Sequence, residues 1–84
     1  MADAIAERVK SVTAELLKVD PAKVKDSARF VEDLGAASIQ SIELVAAFEE
    51  EFNVEMDQDE ALNVKSVGDA VAYIRKCIAE QHGK

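Results

Sequence analysis

The 84-residue chain has no tryptophan, one tyrosine, three phenylalanines, one proline and one cysteine. With so few aromatics, a core has to be built from Val, Leu, Ile and Ala. A chain this short buries only about 60% of its unfolded surface and has room for one such core, so residues 1–84 are expected to form one domain and a monomer. A single cysteine, Cys77, excludes an internal disulfide. No apolar run approaches the roughly 18 residues of a membrane span, and no basic start is followed by an apolar stretch. Asn-x-Ser/Thr acceptors are also missing, and the expected location is cytoplasmic and reducing. Cations are scarce as well: ten Lys and Arg against seventeen Asp and Glu leave a net charge of −7. That balance argues against nucleic acid and anionic lipid as partners, which are bound through Lys and Arg. It favours a protein partner with a basic docking face, reached by electrostatic steering.

Catalytic constellations are missing too. His82 is the one histidine and has no second ligand at metal-binding spacing, so a solvated place at a helix end is expected for it. Cys77 has no neighbouring base and reads as a packed, inert thiol. The acidic cluster Asp57 to Glu60 invites a calcium-loop reading, but that loop needs Gly at its sixth position and Glu at its twelfth, where Leu62 and Gly68 stand. Neither an enzyme nor a metal site is expected.

What is present is helical periodicity. Ile5, Val9, Val12 and Leu16 recur at spacings of four, three and four, which predicts a helix from about Asp3 to Lys18. Asp20-Pro21 ends it, because proline cannot continue the ladder. Val19 to Ala37 then forms a long connection whose apolar residues, Val24, Phe30, Val31 and Leu34, are expected to pin it to the core. A second helix is expected from about Ser38 to Phe52, and one or two helical turns at "DQDEAL". A last helix opens on Ser66, with Asp69 three residues on as in a capping box. It carries Val67, Ala70, Val71, Ile74 and Ile78 at helical spacing. No alternating β-branched run occurs, and the class is all-α: three main helices and a short one.

The middle helix has two apolar faces. Leu44, Val45, Phe48 and Phe52 cluster on one side and suit a core. Ile39, Ile42 and Ala46 form a second stripe, flanked by Glu43, Glu49 and Glu50. One core needs one apolar face. The second stripe is either a docking surface with an acidic rim or a cover for the long loop. Ser38 opens this helix behind three small residues, Gly35, Ala36 and Ala37. It reads either as an N-cap or as an accessible hydroxyl at the positive end of a helix dipole, which favours an attached phosphate.

The stretch "FVEDLGAASIQSIELVAAFEEEFNVEM" resembles the heart of acyl carrier proteins, whose usual string is F-x-x-D-L-G-A-D-S-L followed by x-x-x-E-L-x-x-x-x-E-x-x-F. Phe30, Asp33, Leu34, Gly35, Ala36, Ser38, Glu43, Leu44, Glu49 and Phe52 fall in register, and "SVGDAVAYI" is similar to the family's fourth helix. The resemblance implies a four-helix acyl-carrier-like bundle. It implies that Ser38 receives a covalent 4′-phosphopantetheine arm from coenzyme A through a phosphopantetheinyl transferase, and that the arm's thiol holds acyl groups as thioesters. It also implies that the helix beginning at Ser38 docks acyl-transferring and acyl-processing enzymes through Ile39, Ile42, Glu43, Ala46, Glu49 and Glu50. In the family the space between helices shelters the acyl chain, and small Ala46 and Ala47 are where such a cleft is expected.

The chain departs from the family string in two places that bear on the site. Ala37 replaces the aspartate before the serine, and Ile39 replaces leucine; Gln40 also stands where an acid is often found. The loss at Ala37 implies weaker recognition by a generalist transferase. Together the changes suggest a specialised carrier for fatty-acid, unusual lipid or polyketide synthesis. The alternative is an unmodified acidic interaction module that keeps the fold.

Overall fold

A computed structural model describes residues 4–82. Asp3, the expected start of the first helix, lies outside them, as do the ends of the expected 1–84 unit. Helix α1 spans Ala4–Leu17, α2 Ser38–Phe52, α3 Gln58–Leu62 and α4 Val67–His82, with a 3-10 turn at Pro21–Lys23. No strand occurs among the described residues; one antiparallel bridge pairs Arg29 with Ser66.

The stops and starts have local causes. Lys18 takes φ 57, the left-handed conformation that closes a helix, and the Val19 amide turns back to the Ala14 carbonyl at 3.1 Å. Asp20 caps the 3-10 turn by accepting the Ala22 amide at 2.9 Å. Asn53, at φ 53, ends α2 in the same left-handed way. Asp57 caps α3 by accepting the Glu60 amide at 3.1 Å, and Ser66 caps α4 by accepting the Asp69 amide at 3.2 Å.

Helices α1, α2 and α4 surround a mainly aliphatic core in which Val9, Val67 and Ile74 are fully buried; contrary to the expectation of a purely aliphatic interior, all three phenylalanines, Phe30, Phe48 and Phe52, are buried in it too. Thr13 is fully buried too, which its polarity does not suggest. Its hydroxyl donates to the Val9 carbonyl at 2.8 Å, so no polar group is stranded. The long connection runs over this core and buries Val24, Ala28, Phe30, Leu34 and Ala36. Val31 differs from the expectation: it is 56% exposed, because the chain is turning at residues 31–34.

Backbone bonds stitch the connection to the start of α4. Phe30 donates to Lys65 at 3.0 Å, Val67 to Ala28 at 2.9 Å and Gly68 to Asp26 at 2.8 Å. At Gly68 a Cβ would meet the Asp26 carbonyl oxygen at 3.0 Å, so only glycine allows this approach without a shift. Side chains hold the link between α2 and α3. Glu49 accepts the Met56 amide at 2.9 Å, Gln81 exchanges two bonds with Glu55 at 2.7 and 2.8 Å, and His82 Nε2 donates to the Asn53 carbonyl at 2.6 Å. His82 is therefore exposed at a helix end, as expected, but fastens α4 to the end of α2.

Candidate functional site

The turn ahead of α2 folds on itself. The Arg29 carbonyl accepts the amides of Asp33 and Leu34, both at 3.0 Å, Val31 accepts that of Gly35 at 3.1 Å, and Phe30 accepts that of Ala36 at 2.8 Å. Leu34 and Ala36 point into the core, while Gly35, Ala37 and Ser38 face outward. Gly35 takes φ +74, which L side chains rarely adopt, and a Cβ there would meet nothing within 4 Å. The outer face of the turn is open to an approaching protein. Hydrogen bonding from the Arg29 side chain, then from its backbone amide, holds the Asp33 carboxyl below the usual carboxylate range.

Ser38 is not the cap of α2. Ala37 occupies that position at φ −78, ψ 164 and has no oxygen to offer the helix amides. Half of a capping box remains: the Gln40 side-chain oxygen accepts the Ala37 amide at 2.9 Å. Ser38 is the first helical residue, exposed, and its hydroxyl makes no hydrogen bond among the described residues. The first turn contains no acid. A phosphate ester on this oxygen would meet uncapped amides and the positive end of the dipole, without a like charge from its own turn. The residues present fit a phosphate-linked group.

Beside Ser38 opens a cleft of about 310 Å³. Ser38 and Ile42 line one end, Val45 and Phe48 continue along α2, and Leu62 from α3 and Tyr73 from α4 form the facing walls. Ala46 and Ala47 do not line it, contrary to expectation; it lies on the Ile42 and Val45 side of the helix. Burial pushes the Tyr73 hydroxyl up to about 12. It also raises the buried Cys77 thiol, which stays protonated.

The expected docking residues are presented unevenly. Ile39 is 61% and Ile42 49% exposed, and Glu43, Ala46 and Glu50 are exposed beside them. Neither isoleucine is covered by the long loop. Glu49 is half-buried and turned toward the α2–α3 link, where its carboxylate takes the Met56 amide. Val31 and Leu62, at 56% and 47% exposure, add apolar surface around the cleft mouth. Their place depends on turns that periodicity does not encode. Among the described residues no cluster of His, Cys, Asp and Glu could hold a metal ion, and no helix is long and apolar enough to cross a membrane.

Residues 7–74 match the model of a protein family described as the phosphopantetheine attachment site.

Proposed function

The chain belongs to the phosphopantetheine-attachment family, the family of acyl carrier domains, and on that premise we propose that Ser38 bears its covalent 4′-phosphopantetheine and that the protein carries acyl intermediates between enzymes. The observation that carries the reading is the Ser38 hydroxyl, exposed at the head of α2 and without a hydrogen-bond partner among the described residues, on the lip of an apolar cleft. When bound, the group supplies a terminal thiol that holds an acyl chain as a thioester. The protein's own residues present and shield. The turn at Gly35 exposes the serine, the amides opening α2 stabilise a phosphate, and Ile42, Val45 and Phe48 offer the cargo an apolar wall.

Among the described residues no side chain is hydrogen-bonded to the Ser38 hydroxyl as a base would be, and none is needed in a carrier: activation of the hydroxyl falls to the transferase. Ile39 and Ile42, with Glu43, Ala46 and Glu50, form an apolar centre with an acidic rim that suits enzymes with basic docking faces. Glu49 contributes charge but is engaged with Met56. A monomeric, non-catalytic carrier acting in the cytoplasm in fatty-acid, specialised lipid or polyketide synthesis accounts for these features together.

Intact-mass measurement after incubation with coenzyme A and a panel of transferases tests the reading. One phosphopantetheine adduct is expected on the unaltered chain and none on Ser38→Ala. An adduct that survives Ser38→Ala, or no adduct with any transferase, would overturn it.

A further inference from the structure

Tyr73 is the chain's one tyrosine, and it joins two elements that otherwise meet only loosely. Its ring lines the cleft together with Phe48 and Met56, and its hydroxyl accepts the Asp57 backbone amide at 3.0 Å. Asp57 is the cap of α3, so the ring that walls the cleft also holds the first turn of its neighbour. The adjacent Met56 amide is held by Glu49, beside Phe48, which places this corner about 15 Å along α2 from Ser38 by helical rise. Tyr73 thus stands at the end of the cleft remote from the serine.

The wall changes character there. Ala70, one turn earlier on the same face of α4, is almost fully buried and contributes only a methyl group. At Tyr73 the wall becomes a phenol ring. We propose that Tyr73 is the specificity-determining residue of the cleft: its ring is the stop that limits the length of cargo sheltered from Ser38, and its hydroxyl makes that stop part of α3. A cargo ending before the ring leaves the bond to Asp57 in place. A longer one has to turn the ring aside, which releases the Asp57 amide and unseats α3 with its exposed Leu62. A phenol is neutral at physiological pH, and burial raises its pKa further, so the ring itself presents no charge to an apolar chain.

The inference rests on the carrier reading of the cleft, and the test separates the two. The full chain and its Tyr73→Leu and Tyr73→Phe variants are loaded on Ser38 with butyryl, octanoyl or dodecanoyl pantetheine. Thioester cleavage by hydroxylamine is timed, and exchange of the Asp57 amide is followed by NMR. In the unaltered protein, protection should rise from butyryl to octanoyl and stop rising by dodecanoyl. Tyr73→Leu should slow dodecanoyl cleavage by about fourfold or more as further methylenes find shelter. Tyr73→Phe keeps the stop but should speed Asp57 exchange about fivefold in the unloaded protein. An unchanged chain-length profile in folded Tyr73→Leu, or unchanged Asp57 exchange in Tyr73→Phe, overturns the proposal.

If Tyr73→Leu does not fold, the Tyr73→Phe exchange rate decides. If Ser38 takes no group, the carrier reading falls. The stop is then judged on free octanoyl and dodecanoyl pantetheine added to the unloaded chain: only the longer should shift the Tyr73 ring and Asp57 amide signals, and equal shifts from both would refute it.

Discussion

One oxygen of Asp33, Oδ2, accepts both the backbone amide of Arg29 at 2.8 Å and its Nε–H at 3.1 Å. The residue that the family string places ahead of the glycine is thereby explained without any contact to a ligand. It closes the turn that holds Gly35 and Ser38 at the surface, and it does so with a charge, which makes the turn sensitive to acid.

Because the Asp33 carboxyl titrates lower in the folded chain than its ordinary 3.8, its contribution is fully present above that value. It is lost as pH falls through the depressed folded value. Urea melts of the unaltered protein and Asp33→Asn should differ by a constant amount at pH 7 and 5, and the difference should shrink below pH 4. A gap that widens in acid would contradict the pairing.

Gly35→Ala introduces no clash, since a Cβ there meets nothing within 4 Å, yet it forces an L side chain to φ +74. The cost is about 1 kcal/mol, or roughly 4–8 °C in melting temperature for a chain of this size. Transferase loading should slow as well, because the strain falls on the turn that presents the serine. An alanine variant that melts with the parent would show that the turn relaxes freely.

Ala37→Asp places an oxygen at a cap that has none and completes the box begun by Gln40. A gain of about 1 kcal/mol is expected, together with faster phosphopantetheine loading by a generalist transferase, since the carboxylate also faces the approaching partner. The two readouts are separable: Ala37→Ser should reproduce the stability but not the rate.

Arg8 reaches from α1 to the end of α2, where it pairs with the Glu51 side chain at 2.9 Å, donates to the Glu51 carbonyl and lies 4.5 Å above the Phe52 ring. Helix α2 has no cation in its own last turn, and Arg8 supplies one. Both partners of the ion pair are substantially exposed, so screening keeps its worth small. Arg8→Ala should cost about 1 kcal/mol in total, and Glu51→Gln less than half of that. Adding salt should erase the Glu51→Gln effect and only part of the Arg8→Ala effect; full loss of both would assign the whole contribution to the ion pair.

The main helices were legible because their apolar positions repeat near 3.6; Ser66 marked the start of α4 correctly, and the helical turns expected at "DQDEAL" are α3. Ile39 and Ile42 were separable from Leu44, Phe48 and Phe52 on angle alone. Other features depend on tertiary partners that no local pattern names. The cap of α2 falls on Ala37 because Gln40 bonds backward, which shifts the serine one position into the helix. Glu49 resembles its exposed neighbours in sequence, but only the path of the α2–α3 link brings Met56 within its reach. His82 looked isolated, and its partner is a carbonyl 29 residues away. Tyr73, which is not part of the apolar stripe read on the last helix, was hidden for the same reason: its partner is a backbone amide 16 residues away.

The bonds from Asp26, Ala28 and Phe30 to the head of α4 carry a consequence for timing. The connection that leads into the serine's turn is bonded to Lys65, Val67 and Gly68, so during synthesis it stays unfinished until the head of α4 has emerged and folded back. A chain lacking residues 65–68 would leave those backbone groups of Asp26, Ala28 and Phe30 without these mates. On the proposed reading, a chain ending before the head of α4 should therefore take up the arm more slowly than one that includes it.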